Sequence, residues 1–430
     1  MPFWKRHMAC LVAATWSFTS QAQSLQETVL MALAHYPSIA SSQYKTQSSR
    51  ADITRARGAH WPQLSWSGTY NDYSNSALPD RWIQTPVLSL NLWSGGRIQS
   101  DVERAQAITQ ASLQQENLSR DDVALLSTEA YLQWAHQKKM VALAQENLNA
   151  HEKILRDFET ISQVDKGRRI DLSQAQVRYD NARLSLIRSE TDMRVASERL
   201  ARVLMAPLPA TPSGMEAIPV IPFATLVQAE RHLDDKHPAI ARLLAQCEAA
   251  QASIRMAQAQ SAPTVNLSYS KSAIPGYAQG QFVTQLQLNL PLIDGGTVHG
   301  AVGVATANLQ ALQADLAETR LLLTEQLSAN WTSWERSSQR AELGLLQVRT
   351  AQDLVEGYEQ QFRAGRRSLL DLLNIQSDLY TYQSNTAIAL NESRLSQARI
   401  LAGLGQLAQA YTETPAVLVT DKPNTAQHPE

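Results

Sequence analysis

The residues Leu88-Ser89-Leu90-Asn91-Leu92-Trp93-Ser94-Gly95-Gly96 change from a strand pattern to the start of a long helical segment. Leucines alternate with polar residues, which is typical of a β-strand with one apolar face. The alternation ends at two glycines, and about 70 residues without glycine or proline follow, enough for a helix of roughly 100 Å. The strand and its glycines return at Leu286-Gln287-Leu288-Asn289-Leu290 and Gly295-Gly296. The sequence therefore predicts, twice, a strand that leads into a very long helix.

The repetition covers most of the chain. Its period of about 200 residues far exceeds the roughly 20–50 residues of a solenoid unit, so we interpret it as a duplicated half-protein. Each half then has the same order: helix, hairpin, very long helix, tight turn and returning helix. The matching positions outside the strands are Pro37, Ile39, Ala51, Ile53, Ala56 and Pro62 with Pro238, Ile240, Ala252, Ile254, Ala257 and Pro263, and Gly167-Arg168-Arg169 with Gly365-Arg366-Arg367.

These patterns predict a division of the chain into successive segments. In chain order they are a signal peptide (1–22); a first repeat (23–206) with its hairpin at 61–94 and its tip turn near 167; a proline-rich linker (207–224); a second repeat (225–408) with its hairpin at 263–294 and its tip turn near 365; and a polar tail (409–430).

The first residues are typical of an export signal. Lys5 and Arg6 precede an apolar run over residues 8–18, and Ser20-Gln21-Ala22 fits a cleavage site. Cleavage after Ala22 leaves Cys247 without an intrachain disulfide partner.

The composition argues against several classes of function. The net charge is −2 with scattered basic residues, so no nucleic-acid binding is expected. No catalytic group of residues or cofactor-binding loop stands together, so we expect neither an enzyme nor a cofactor. His232 and His237 miss the i, i+4 spacing of two zinc ligands on one helix, and no metal site is expected. The Asp121-Asp122 pair is interpreted as a solvated helix surface.

The helical segments predict lateral packing. Residues 25–59 predict one helix, and the very long helices need partners along their sides. Small and apolar residues at three- and four-residue steps favour packed antiparallel helices of coiled-coil type. Gly167 and Gly365, each followed by two arginines, predict left-handed helix caps where the chain turns back.

Two interpretations fit the four predicted strands. They could form half-buried hairpins on a soluble sheet, or part of an outer-membrane barrel whose apolar face meets lipid and whose polar face lines a watery lumen. After the signal, no stretch approaches the roughly 18 consecutive apolar residues of a membrane-spanning helix. In the barrel interpretation the lipid-facing residues are Leu88, Leu90, Leu92, Leu286, Leu288 and Leu290.

The chain resembles the TolC-like outer-membrane export channels of Gram-negative bacteria over residues 25–407. It does so in its duplicated order, in the Leu-x-Leu-x-Leu strand before Gly-Gly, and in the run Gly365-Arg366-Arg367-Ser368-Leu369-Leu370-Asp371-Leu372-Leu373-Asn374. The resemblance implies an α+β membrane protein of the cell outer membrane, a homotrimer with four strands per subunit in one 12-stranded β-barrel. It also implies a coiled-coil helical tunnel in the periplasm, a periplasmic adaptor (membrane fusion) protein and an inner-membrane transporter as partners.

Within the resemblance, the residues of the tip turns distinguish drug-efflux members from members that serve protein secretion. Drug-efflux members commonly have Leu or Thr after the tip glycine, whereas Arg168 and Arg366 stand there in this chain. The run after Gly365 is more similar to members that serve type I secretion of unfolded proteins such as adhesins or proteases. We therefore favour the channel of a type I secretion system with an ABC transporter. An RND- or MFS-type drug or metal efflux pump is the alternative, and a soluble periplasmic coiled-coil protein is the remote one.

The resemblance also implies two sets of site residues. The adaptor-docking tips are Gly167, Arg168, Arg169, Gly365, Arg366 and Arg367. Asp371 matches the first of the acidic positions that ring the periplasmic aperture in the family, and Asn374 stands at the second. One ring of three carboxylates is therefore expected, rather than two.

Overall fold

A computed structural model describes residues 24–72, 81–164, 166–205, 217–233, 236–271 and 280–413. The predicted signal peptide, most of the predicted linker and the last 17 residues of the predicted tail lie outside these ranges. The first half contains α1 (Leu25–His35), α2 (Pro37–Gly58), β1 (Gln63–Asn71), β2 (Arg81–Trp93), α3 (Arg97–Val164), a 3-10 turn (Lys166–Arg168) and α4 (Arg169–Leu204). The second half contains α5 (Leu226–Arg231), α6 (Pro238–Gln258), a 3-10 turn (Ala259–Ser261), β3 (Thr264–Lys271), β4 (Phe282–Asn289), α7 (Thr297–Arg363), α8 (Leu369–Gly403) and α9 (Leu407–Glu413).

The helix predicted over residues 25–59 is two helices. Tyr36 separates α1 from α2 in an extended conformation, with φ −68° and ψ 130°, and Pro37 is the first residue of α2. A proline disfavours the helical conformation of the residue before it, so the first helix ends there. The prediction of a single helix was wrong, because Pro37 holds Tyr36 in an extended conformation and a new helix begins at Pro37.

The two longest helices set the dimensions of the chain. α3 has 68 residues and α7 has 67, each about 100 Å long. α3 packs against α4 and also against α2, α6 and α8, whereas α7 packs mainly against α6 and α8. α7 keeps several large apolar side chains exposed, among them Leu321, Leu343 and Leu346. Within the ranges described, no helix is both long and apolar enough to cross a bilayer.

The strands form one antiparallel sheet in the order β1-β2-β3-β4. Leu64 of β1 lies opposite Leu88 of β2, which lies opposite Tyr269 of β3. Residues directly opposite one another share a face of the sheet. On the other face the Asn91 amide donates a hydrogen bond of 2.8 Å to the Asn266 side-chain oxygen. The apolar face carries Leu64, Trp66, Leu88, Leu90, Val265, Leu267, Tyr269, Leu286 and Leu288.

The largest apolar core lies where α1, α3, α4, α8 and α9 meet, midway along the helices, and we refer to it as the waist. Its fully buried side chains include Leu25, Tyr131, Leu200, Ile400 and Tyr411. The predicted polar tail therefore begins inside a packed helix. Residues 409–413 belong to α9, because Leu407 and Tyr411 bury apolar surface there.

Asp121 holds the start of α9 against α3. Its carboxylate accepts a hydrogen bond of 2.8 Å from the backbone N–H of Ala408, and the side chain is buried. At the far side of α9, the Thr128 hydroxyl donates to the Tyr411 hydroxyl at 3.2 Å. The interpretation of Asp121 as a solvated surface residue was wrong, because this residue caps a helix that comes almost 290 residues later.

Burial gives Asp121 a pH-dependent role. It raises the pKa of Asp121 from 3.8 to about 6, and the neighbouring Asp122 adds to the rise, while the Ala408 N–H opposes it. Because the pKa of Asp121 is higher in the folded than in the unfolded protein, its contribution to the free energy of unfolding is greatest below about pH 4. This contribution is lost as the pH rises through 6. The full loss from this group is roughly 3 kcal/mol.

We expect Asp121→Asn to remove this part of the pH dependence, because the amide oxygen can still accept from Ala408 but carries no charge. The melting temperatures of the native protein and the variant, measured from pH 4 to pH 7.5, should diverge in favour of the variant as the pH rises. Parallel curves would show that the pKa of Asp121 is not raised in the folded protein.

Candidate functional site at the helical tips

The two tip turns use different backbone geometry. At the second tip Gly365 is left-handed, with φ +71°. Its N–H donates to the Phe362 carbonyl and the next N–H, of Arg366, donates to the Gln361 carbonyl, both at 2.9 Å, which is a Schellman cap. At the first tip Gly167 lies inside a 3-10 turn, which is right-handed. The predicted left-handed cap is present at Gly365, and the same prediction for Gly167 was wrong.

An apolar cluster joins the two tips. The rings of Phe158 on α3 and Phe362 on α7 have centroids 5.5 Å apart, and the buried Leu369 of α8 packs with them. One turn above, Lys153 of α3 forms an ion pair with Glu359 of α7. These contacts surround a cleft of about 450 Å³ between the tips. The first and second tips therefore form one surface at the end of the helices.

Arg367 is held within the second tip. Its guanidinium lies 3.8 Å from the centroid of the Tyr358 ring, and its Nε donates to the Gln361 side chain at 3.1 Å. One guanidinium nitrogen lies 3.8 Å from the Asp371 carboxylate. Three contacts at once favour a structural tie between α7 and α8 for this arginine.

The other tip arginines are placed differently. Arg168 lines the cleft between the tips. Arg169 is the first residue of α4 and is exposed, and the Arg366 side chain is exposed beside the left-handed glycine. The end of the helices thus presents exposed arginines around a cleft whose lining combines apolar residues with the acidic residues Asp157 and Glu359.

The two candidate aperture residues lie in the first turns of α8, and each has an arginine beside it. Asp371 follows the N-cap residue Ser368, whose hydroxyl accepts from the Asp371 N–H at 3.2 Å. Its carboxylate pairs with Arg367, as described above. The Asn374 side-chain oxygen accepts from Arg178 of α4 at 3.1 Å. The i, i+4 spacing of Arg367 and Asp371 could have been found in the sequence, whereas the contact with Arg178 spans 196 residues.

The six candidate lipid-facing leucines are exposed to different extents in the single chain. Leu286 and Leu288 are 66% and 67% exposed on the apolar face. Leu92 lies between the paired residues Asn91 and Trp93, where the register shifts by one residue. Leu290 lies one residue beyond the end of β4. Leu88 and Leu90 are on the apolar face of the sheet interior.

The two histidines considered in the sequence have partners in the fold. The His232 ring bonds the Gln406 side chain at 3.0 Å, and His237 accepts from the Ala239 N–H at 3.2 Å as the N-cap of α6. Over the ranges that the structure describes, no group of three His, Cys, Asp or Glu residues could hold a metal ion.

Comparison with known proteins identifies the family that this chain matches. The family model described as "Outer membrane efflux protein" matches residues 28–204 and 232–406. The chain is 23% identical to the outer membrane efflux protein BepC of Brucella suis, covering 83% of this chain and 79% of BepC. It is 22% identical to the alkaline protease secretion protein AprF of Pseudomonas aeruginosa, covering 84% and 77%. The crystal structure of the outer membrane protein VceC of Vibrio cholerae matches with a TM-score of 0.73 at 18% identity, covering 89% of this chain and 96% of VceC.

The difference between the tips predicts different responses to the same substitution. Gly365→Ala should loosen the second tip, because an L-residue at positive φ costs roughly 1–2 kcal/mol. Gly167→Ala is the matched control, since a right-handed turn accommodates alanine. Amide hydrogen exchange over residues 361–368 should be faster in the first variant than in the native protein. The geometry would be contradicted if the first variant left this exchange unchanged.

Proposed function

The chain belongs to the outer membrane efflux protein family, and we propose that it is the outer-membrane channel of a type I protein secretion system. The family and the fold are those of passive channels in the outer membrane with a helical tunnel in the periplasm. In the proposed system an unfolded protein, such as an adhesin or a protease, passes through the channel to the exterior. An ABC transporter in the inner membrane supplies the energy for this transport.

The chemistry of the second tip carries this proposal. The side chain of Arg366 is exposed at the position where drug-efflux members commonly have Leu or Thr. A charged tip fits an adaptor surface of opposite charge, and long-range attraction would speed the encounter. The similarity to a protein named for alkaline protease secretion also supports a role in protein secretion.

A drug or metal efflux pump is the second candidate, and two observations favour it. The relative BepC is named as an efflux protein, and this chain is similar to it over most of the length of BepC. The cleft between the tips also has an apolar base, formed by Phe158 and Phe362, which could receive the apolar residues of an efflux adaptor.

The sheet supports the proposed assembly. β1 and β4 are its edges, and strand edges cannot face hydrocarbon without hydrogen-bond partners. Three copies of four strands would close a 12-stranded barrel of the kind found in outer membranes. Their helices would then surround one tunnel, with the tips meeting a periplasmic adaptor.

At the tunnel end, the three copies of Asp371 would form one ring. Like charges close together in a narrow pore attract cations into it. The pair with Arg367 reduces that field, because the guanidinium lies 3.8 Å from the carboxylate. The ring is therefore a weaker cation site than three unpaired carboxylates would be.

Two variants should change cation block in opposite directions. In planar bilayers, Asp371→Ala should weaken block by multivalent cations added on the periplasmic side. Arg367→Gln should strengthen it, because it removes the neutralising charge and keeps a polar side chain. If neither variant changes the block, Asp371 does not line the aperture.

Secretion and efflux can be separated in cells that lack the gene for this protein. Restoring the native gene should restore proteins missing from the culture supernatant and leave drug susceptibility unchanged. Arg168→Ala with Arg366→Ala should lower secretion severalfold at equal trimer yield, while Arg188→Ala, an exposed arginine far along α4, should not. Restoration of drug resistance with no change in secreted proteins would favour the efflux pump.

A further inference from the structure

A polar cleft of about 500 Å³ lies beside the waist. Its walls come from α3, from the residues that lead into α6 and from the link between α8 and α9. These segments all belong to one chain, so the cleft forms without a second copy. The side chains that determine its chemistry are the carboxamides Gln114, Asn117, Gln406 and Gln409 and the cations Arg120 and Lys236.

The walls of the cleft are fixed by contacts within the fold. The His237 ring accepts from the Ala239 N–H at Nδ1, at 3.2 Å, and its Nε2 bonds the Gly403 carbonyl at 3.1 Å. A ring that accepts at one nitrogen and donates at the other is neutral. Gly405 has a φ of +67°, and a Cβ atom there would lie 2.6 Å from the Pro238 ring. The cleft is therefore preformed, and His237 gives it shape without adding charge.

Arg120 is the cation that the fold leaves available. Its side chain is half-buried on α3, and among the described residues its guanidinium makes no hydrogen bond and no ion pair. The neighbouring Asp121 carboxylate accepts from the Ala408 N–H instead. With Lys236, the lining holds two cations against the one carboxylate of Asp121. A guanidinium in this position suits a ligand carboxylate, which it can bind through two parallel hydrogen bonds.

The carboxamides on α3 are not needed to build a helix of this kind. α7 repeats α3 with an offset of 200 residues, as the glycine pairs before the two helices show (295 − 95). The counterparts of Gln114 and Asn117 are Ala314 and Ala317. α7 is a helix of nearly the same length with alanine at both positions. The polar groups at 114 and 117 are therefore available for a role other than helix formation.

The lining also decides between classes of ligand. Pockets for drug-like molecules have mostly apolar walls with a few polar groups, whereas carboxamides and charged groups dominate this cleft. A carboxamide donates and accepts hydrogen bonds at the same time, and so does a sugar hydroxyl group. The volume of the cleft has room for a small saccharide. Hydroxyl groups together with one carboxylate match what the cleft offers.

We infer that this cleft binds a saccharide that carries a carboxylate. Arg120 binds the carboxylate, and the carboxamides of Gln114 and Asn117 bind hydroxyl groups. The cleft lies midway along the helices, in the periplasmic part of the channel. A free acidic sugar and an acidic sugar within a polymer present the same chemistry there. The site does not depend on what the channel transports.

Titration calorimetry of the purified mature protein in detergent tests the site with two disaccharides. Cellobiuronic acid has a carboxylate where cellobiose has a hydroxymethyl group, so the two differ only in the charged group. The acid should bind roughly tenfold more tightly, because it adds a charge-assisted hydrogen bond. Arg120→Met should abolish this difference, whereas Arg188→Met, at an exposed arginine of α4, should preserve it.

A second variant separates recognition from folding. Gln114→Ala with Asn117→Ala introduces the residues that α7 already has at the equivalent positions, and it should weaken the binding of both disaccharides. Equal binding of the two disaccharides to the native protein, no measurable binding of either, or tighter binding of inorganic phosphate than of cellobiuronic acid would overturn the site. Each of these results would leave the channel assignment standing.

Co-sedimentation with purified peptidoglycan distinguishes the two sources of the sugar. Sedimentation of the native protein that Arg120→Met abolishes would support the site with a polymer as its ligand. Binding of cellobiuronic acid without sedimentation would support the site with a free acidic sugar.

Discussion

Each edge strand of this sheet needs hydrogen-bond partners, and this requirement constrains how the chain can enter a membrane and assemble. In hydrocarbon each unsatisfied N–H or C=O group costs several kcal/mol. The sheet places β1 and β4 at opposite edges, so one chain cannot pair them with each other without closing a barrel of only four strands. The apolar face of the sheet suits lipid, but only with both edges paired. In the proposed trimer, membrane insertion and assembly would rely on the same backbone hydrogen bonds.

The long helices continue directly from the strands and depend on lateral packing. Each long helix starts directly after a pair of left-handed glycines, at Gly95-Gly96 and at Gly295-Gly296, which redirect the chain from the sheet. Helices of about 100 Å depend on lateral packing, and the waist supplies it for α3 through α1, α4, α8 and α9. The buried carboxylate of Asp121 holds the last of these in place. Large apolar residues of α7 stay exposed in the single chain, as do the two edges of the sheet.

Sequence patterns predicted what is local or repeated in this fold. Alternation predicted the strands, the missing prolines predicted the long helices, and the family match confirmed the resemblance. Contacts between distant residues could not be predicted in the same way. Asp121 looked like a surface residue because its partner, the N–H of Ala408, lies almost 290 positions away. Gly167 is followed by two arginines, as Gly365 is, but it does not share the left-handed conformation of Gly365. The residues that precede the two glycines differ, so the shared Gly-Arg-Arg motif alone does not fix the backbone angles.

The alternating residues of these strands predict that one face of the sheet meets lipid and the other meets water. Nitroxide labels placed one at a time from residue 285 to residue 288, in trimers reconstituted into liposomes, test it directly. Labels at Leu286 and Leu288 should be relaxed by oxygen, which concentrates in the bilayer, and labels at Gln285 and Gln287 by a water-soluble nickel complex. Alternation with a period of two is the predicted result. Equal access of the nickel complex to all four positions would contradict the membrane-spanning sheet.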